Sequence, residues 1–245
     1  MCDHEEKESI KHILTEWGFA VQYIEKKNKI KSPDLLCTAF DKKYVIEIKR
    51  KGDDPIKKIK SEIHESIGPI NTISGIIRKG VKQLTNYKGD CDFKIIWLIA
   101  DGEDPDFQIE QCYRTIYGIE NIFDLDDTSF HYTCYYFYDS SFYRWRNTLD
   151  GVIITSWEKG KLCINNYSEN SQELHDSYLS SKFENAIINP MQEEKEDQAI
   201  IADFDSDRKN LSLVKSYLQD KYKKYKLQHM PIEKHLRKFS SSFNH

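Results

Sequence analysis

Apolar residues in the first part of the chain follow two different spacings. Residues 5–17 carry them at three- and four-residue intervals, the spacing of an amphipathic helix, and Gly18 follows where such a helix ends. Residues 19–25, 33–40 and 44–49 are short, mainly apolar runs typical of strands, and three residues separate the last two runs. The pattern predicts a helix, a first strand and then a tight antiparallel hairpin.

A nearly continuous apolar run at residues 93–100 is typical of a central strand that is buried on both faces. Helical spacing is found on either side of this run, at residues 71–87 and 107–117. Two further strands are predicted at residues 133–138 and 152–156. This order of helices and strands predicts an α/β fold with a mixed central sheet flanked by helices.

The last third of the chain is more polar, and its pattern is mainly helical. Residues 173–188 and 211–225 have helical spacing, and residues 199–204 suit one short strand. We therefore divide the chain into an α/β domain at residues 1–167 and a C-terminal, mainly helical extension at residues 168–245.

Composition narrows the class of protein. With 39% hydrophobic residues the chain can build a core, but no apolar run approaches the roughly 20 residues that span a bilayer. The charged N-terminus does not suit a signal peptide, and the six cysteines stand singly, which favours reduced thiols. We therefore expect a cytoplasmic protein with no membrane partner. The net charge of −4 hides a lysine-rich stretch at residues 42–60, which suits either a phosphate backbone or simple solvation.

Three charged residues are brought together by the predicted hairpin. Asp34 begins one of its strands, and Glu47 and Lys49 end the other. Because Glu47 and Lys49 are two residues apart, they point to the same face of their strand. Two carboxylates and one ammonium group in one place are costly unless something binds there. A divalent metal together with a phosphate would satisfy all three groups.

These residues, in this order of elements, resemble the PD-(D/E)XK nuclease superfamily and its restriction-endonuclease-like fold. Pro33-Asp34 matches the PD element of that family, and Glu47-Ile48-Lys49 matches its ExK element. The segment from Gln83 to Tyr87 matches the QxxxY element of the RecB-like branch. The resemblance covers roughly residues 5–100 and extends loosely to about residue 167.

The resemblance implies a metal-dependent deoxyribonuclease that hydrolyses phosphodiester bonds, with a role in antiviral defence, restriction or repair. Asp34, Glu47 and the backbone carbonyl of Ile48 would bind Mg²⁺ or Mn²⁺. Lys49 would orient the attacking water or stabilise the transition state at the scissile phosphate. Glu8, on the first helix, would face the metal as an outer ligand.

The second long helix would contribute further contacts. Gln83 and Tyr87 lie one turn apart on one face, where they would hold the site or the nucleic-acid backbone. Arginines interleaved with aromatic residues, at Arg144 and Arg146, suit contact with nucleic acid. The other candidate phosphate contacts are Lys51, Arg78, Lys79 and Lys82.

Several alternatives remain open from the sequence. Glu47 and Lys49 could form an ordinary cross-strand ion pair, and Pro-Asp is a common start of a turn. Glu8 could belong to a solvated helix face, and Gln83 with Tyr87 could be a packed pair. At the level of function, the alternatives are a non-catalytic nucleic-acid-binding or assembly module on the same fold and an RNA-cleaving enzyme. A homodimer, or a partner protein that activates or targets the chain, is compatible with each of these functions.

Overall fold

The computed structural model describes residues 4–25, 31–52, 71–102, 104–156, 159–205 and 208–229. The helices are α1 (His4–Glu16), α2 (Asn71–Asn86), α3 (Pro105–Tyr117), α4 (Ser141–Arg144), α5 (Ser171–His175), α6 (Pro190–Lys195) and α7 (Leu211–Tyr222). The strands are β1 (Ala20–Tyr23), β2 (Leu35–Ala39), β3 (Lys42–Lys51), β4 (Phe93–Ala100), β5 (Glu120–Asp124), β6 (Asp127–Tyr135), β7 (Gly151–Thr155), β8 (Gly160–Ile164), β9 (Ile187–Ile188), β10 (Ala199–Ile201) and β11 (Leu227–His229).

The strands form two sheets. Seven of them make a mixed sheet in the order β1-β2-β3-β4-β7-β8-β9, in which β3, β4 and β7 run parallel and β1, β2 and β3 alternate in direction. A second sheet has the order β10-β6-β5-β11. The chain is therefore an α/β protein with a mixed sheet flanked by helices, as the sequence predicts.

The hairpin between β2 and β3 is tighter than predicted. The strands pair antiparallel up to Ala39 and Lys42, so Phe40 and Asp41 make the whole connection. Phe40 takes a left-handed backbone conformation with φ of 52°, which a turn this short requires. Strand β3 also extends beyond its predicted end, because it continues its pairing with β4 as far as Lys51.

Strand β4 lies at the centre of the seven-stranded sheet, and both of its faces are buried. On one face Ile96 and Leu98 pack with α2 and α3, and on the other Ile95 and Trp97 pack with α1. The prediction of a central strand buried on both faces is confirmed. Strand β3 has one face of the same kind, since Ile46 and Ile48 lie in the core on the α1 side.

The chain after residue 167 was predicted to be mainly helical, and it is not built that way. Residues 173–188 contain α5, two short turns of 3₁₀ helix and strand β9. Leu174, Leu179 and Phe183 are buried with a spacing close to the helical one, but intervening serines bond to the backbone, as Ser180 Oγ does to the carbonyl of Leu174. Strand β9 belongs to the seven-stranded sheet, and β10 and β11 belong to the second sheet. Each sheet therefore contains strands from both sides of the predicted division at residue 167.

Strands β5, β8 and β11 were not predicted, and β9 lies at the end of a predicted helix. The first ten residues of the lysine-rich stretch at residues 42–60 form β3, and residues 53–60 lie outside the described residues. None of the described helices is both long enough and apolar enough to cross a lipid bilayer.

Candidate active site

Asp34 and Glu47 lie close together where the antiparallel ladder of the hairpin ends. Leu35 pairs with Ile46 at this end of the ladder, and the backbone N–H of Asp34 donates to the carbonyl of Ile46 at 3.1 Å. The two carboxylates are near enough for the negative charge of Asp34 to raise the pKa of Glu47. Both carboxylates are buried, with residue exposures of 5% and 1%. The sequence prediction that the hairpin brings these acids together agrees with this geometry.

Lys49 lies next to Glu47 and is held from two sides. Its ammonium group donates to Glu47 Oε1 and, at 2.9 Å, to Gln83 Oε1 on α2. The Gln83 amide in turn donates to the carbonyl of Ser32 at 3.1 Å. Gln83 therefore connects helix α2 to the lysine and to the segment that leads into Asp34.

Asp34 is oriented by one backbone donor and one side chain. Its Oδ2 accepts the N–H of Ile48 at 3.1 Å, and its Oδ1 accepts the ammonium group of Lys7 on α1. The sequence analysis gave Ile48 a role through its carbonyl, which stays a prediction, whereas the contact seen here is made by its N–H. The sequence analysis did not predict the contact between Lys7 and Asp34.

Glu47 is the electrostatically unusual member of the site. Burial, and then the negative charge of Asp34, raise its pKa from 4.5 to about 8, although Lys49 acts in the opposite direction. Its second oxygen, Oε2, is buried and has no hydrogen-bond partner among the described residues. An ionised carboxylate with an open, buried oxygen is costly, so the site favours either a proton or a cation at this position.

The printed contacts of Glu8 do not include Asp34 or Glu47, and its role as an outer ligand stays a prediction. Its carboxylate accepts the hydroxyl of Tyr23 at 2.7 Å and lies 3.9 Å from the ammonium group of Lys11. The residue of α1 that reaches Asp34 is Lys7, one position earlier. A signal for this was present in the sequence, because Lys7 precedes the buried Ile10 by three residues and shares its inward face.

Three other candidates lie away from the site. Tyr87 follows α2 and lies close to Gly89, and Lys43 is among its charged neighbours. Lys43 precedes Lys49 by six residues of β3, which corresponds to about 20 Å along the strand.

Arg146 stacks on Tyr143 at 4.6 Å. It also lines a polar cleft with Asp90, Lys94 and Asp150, at the start of the parallel strands. Arg144 forms an ion pair with Asp139. The structure therefore separates Tyr87, Arg144 and Arg146 from the carboxylates.

The remaining candidate phosphate contacts differ in accessibility. Lys51 is buried, and its ammonium group donates to the carbonyl of Gly52. Contrary to what a phosphate contact requires, its side chain therefore does not face solvent. Arg78, Lys79 and Lys82 are exposed on α2. Because Lys79 stands one helical turn before Gln83, it lies on the side of α2 that contains the site.

The residues present fit a hard divalent cation. The described residues contain no group of three or more His, Cys, Asp or Glu side chains arranged for a metal. Mg²⁺, however, is commonly held by one or two carboxylates, with water and substrate phosphate completing its coordination. Asp34 and Glu47 supply two carboxylates, and Glu47 Oε2 is an oxygen that lacks a donor among the described residues.

Comparison with known proteins adds no assignment, since the chain matches no protein-family model, no curated protein and no solved structure. The functional interpretation therefore rests on the geometry of this site. Glu47 lies near the middle of β3, where it pairs with Ile96, the fourth of the eight residues of β4.

Proposed function

We propose that this protein is a metal-dependent nuclease of the PD-(D/E)XK type, with the restriction-endonuclease-like fold, and that it hydrolyses phosphodiester bonds of DNA. The observation that carries the proposal is the proximity of the buried carboxylates of Asp34 and Glu47 at the end of a hairpin, with the ammonium group of Lys49 beside them. A cross-strand ion pair alone would leave unexplained the buried Glu47 oxygen and the second carboxylate near it.

Each residue has a role that its contacts support. Asp34 and Glu47 would hold Mg²⁺ or Mn²⁺, with Asp34 kept in orientation by the N–H of Ile48. When bound, the cation supplies Lewis-acid stabilisation of the phosphate and lowers the pKa of water. Lys49 would donate from Nζ to a phosphate oxygen as negative charge develops there. Gln83 would fix that ammonium group, because its own amide is anchored on the Ser32 carbonyl.

The exposed basic face of α2 supports a polyanionic substrate. Arg78, Lys79 and Lys82 would contact the backbone beside the scissile bond, independently of base sequence. Such contacts would make binding dependent on salt concentration, because each neutralised phosphate releases counterions. A role in defence against foreign DNA, restriction or repair, and action in the cytoplasm, are extensions of this proposal.

The direct test is cleavage of defined substrates by the purified protein. Linear duplex, circular and single-stranded DNA, and RNA, are incubated with Mn²⁺ or Mg²⁺ and separately with EDTA. Glu47→Gln and Lys49→Met are compared with Lys43→Met, a matched control. Lys43 lies on the same face of β3 but pairs with Asp90 at the other end of the strand.

The expected result is metal-dependent cleavage of DNA that is lost in Glu47→Gln and Lys49→Met and retained in Lys43→Met. Cleavage restricted to substrates with a 2′-hydroxyl would replace DNA by RNA as the substrate. If no substrate is cut and calorimetry detects no metal binding, the protein is not a metal-dependent nuclease.

A further inference from the structure

We propose that Lys7 is an internal cation that occupies Asp34 in place of a divalent metal and leaves when the metal binds. This inference rests on the proposed metal site and adds a control element to it. Lys7 would therefore set how tightly the site takes up metal in the absence of nucleic acid.

The first argument is the position of the ion pair. The ammonium group of Lys7 contacts Asp34 Oδ1, and the side chains of the two residues are 20% and 4% exposed. Asp34 Oδ2 already accepts the N–H of Ile48, so Oδ1 is the oxygen with the larger remaining capacity for a metal once Lys7 has left. Lys7 and the metal would thus compete for one oxygen atom.

The second argument is the balance of charge. In the site as it stands, the carboxylates of Asp34 and Glu47 are paired with the ammonium groups of Lys7 and Lys49. A divalent cation that enters this group would be repelled by two ammonium groups at short range. One of the ammonium groups must therefore move away for binding to become favourable.

The structure also indicates which lysine moves. Lys49 is fixed at a second point, because its ammonium group also donates to Gln83 Oε1 at 2.9 Å. Lys7 has Asp34 as its one hydrogen-bonding partner among the described residues, and it stands in the first turns of α1. A lysine side chain with a single anchor can swing into solvent without disturbing the helix.

The test measures Mn²⁺ affinity by calorimetry on the full chain, without nucleic acid. Lys7→Met removes the competing charge and keeps an apolar stem of similar length. Lys11→Met is the matched control, because it removes the same charge one turn further along α1, where Lys11 contacts Glu8 and the ring of Tyr23. Lys7→Gln is measured alongside as a second, more soluble replacement, and thermal melting checks that each variant is folded.

We expect Lys7→Met and Lys7→Gln to bind Mn²⁺ about tenfold more tightly than the unaltered protein, and Lys11→Met to stay within about twofold of it. Unchanged or weaker affinity in folded Lys7 variants would overturn the role of Lys7 but leave the metal site standing. A tightening in Lys11→Met equal to that in Lys7→Met would also overturn it, because the effect would then be long-range charge. If neither the unaltered protein nor any variant binds Mn²⁺, both the metal site and this inference fail.

Discussion

Two buried carboxylates at different positions along the parallel strands differ in their hydrogen bonding. Asp150, just before β7, has both oxygens occupied. Oδ2 accepts the N–H of Lys94 at 2.7 Å, and Oδ1 accepts the hydroxyl of Ser168 and, at 3.1 Å, the amide of Asn170. Glu47 has one oxygen on Lys49, and among the described residues no donor reaches the other.

The comparison teaches that burial alone does not distinguish a structural acid from a functional one. Burial is the first cause of the raised pKa in both residues. What separates them is the set of donors, because a carboxylate whose oxygens are saturated by protein groups has no capacity for a ligand. Asp150 ties the start of β4 to the loop after β8, whereas Glu47 retains an open oxygen beside Asp34.

The largest expected effects separate the two acids by activity and by stability. Glu47→Gln should lower the rate of DNA cleavage at least about 1000-fold, since a neutral amide is a poor ligand for Mg²⁺. Asp150→Ala should instead lower the free energy of unfolding by about 3 kcal/mol, because it strands three donors, and should leave cleavage within about threefold at 25 °C. Cleavage assays and urea unfolding of both variants measure the two quantities.

This double comparison has a clear contrary outcome. If folded Asp150→Ala loses cleavage as completely as Glu47→Gln does, the polar cleft at the start of the strands belongs to the active site. Arg146, which lines that cleft, would then return as a candidate contact for nucleic acid.

The second prediction concerns the pH dependence of stability without metal. The pKa of Glu47 is raised in the folded protein from 4.5 to about 8, so the folded state binds more protons between these values. Its contribution to the free energy of unfolding therefore falls as pH rises from about 4.5 to about 8. Between pH 5 and pH 8 in EDTA, the unaltered protein should lose roughly 2–4 kcal/mol more stability than Glu47→Gln does.

Taking the difference between the two proteins removes the contribution of Asp150, whose pKa is raised in the same direction and which both proteins contain. If the unaltered protein and Glu47→Gln lose equal stability between pH 5 and pH 8, Glu47 is already ionised at pH 5, as expected for a simple ion pair with Lys49. The open oxygen would then not distinguish the two acids.

The third prediction uses Gln83 and Tyr87, which stand one helical turn apart at the C-terminal end of α2. Gln83→Ala should lower kcat about tenfold with little change in KM, because the Lys49 ammonium group loses one of its two anchors. Tyr87→Phe should leave kcat unchanged, since Tyr87 lies near Lys43 and not near Lys49. Steady-state kinetics on one duplex substrate measures both, and a loss in Tyr87→Phe would place Tyr87 on one functional face with Gln83.

Much of the site could be predicted from sequence because it is local. Asp34, Glu47 and Lys49 are fixed by a hairpin and by the two-residue period of a strand, both of which are visible in the chain. The missed contact between Lys7 and Asp34 shows the limit of such reasoning. Neighbouring residues of a helix differ by about 100° in direction, so a correctly predicted helix does not by itself tell which of its side chains reaches the site.

The errors in the fold arise from distant pairing. Strand β9 has two residues and β11 has three, so neither carries a readable period, and both are strands only because β8 and β5 lie beside them. The separation of Tyr87 and Arg146 from Lys49 has a similar origin. Their distance from Lys49 depends on which end of the parallel strands they reach, and no local pattern specifies that.

The smallest expected effect tests how closely α2 covers Glu47. A Cβ atom on Gly80 would lie 2.8 Å from Ile96 Cδ1 and 3.7 Å from Glu47 Cγ, whereas one on Gly75 would meet nothing within 4 Å. Gly75→Ala should therefore raise the free energy of unfolding by about 0.5–1 kcal/mol through helix propensity, and Gly80→Ala should lower it by about 1 kcal/mol.

Gly80→Ala should also reduce the loss of stability between pH 5 and pH 8, because a displaced helix admits water to Glu47 and lowers its pKa. Urea unfolding at both pH values measures this, and a gain in stability from Gly80→Ala with an unchanged pH dependence would show that the open oxygen of Glu47 does not depend on close packing by α2.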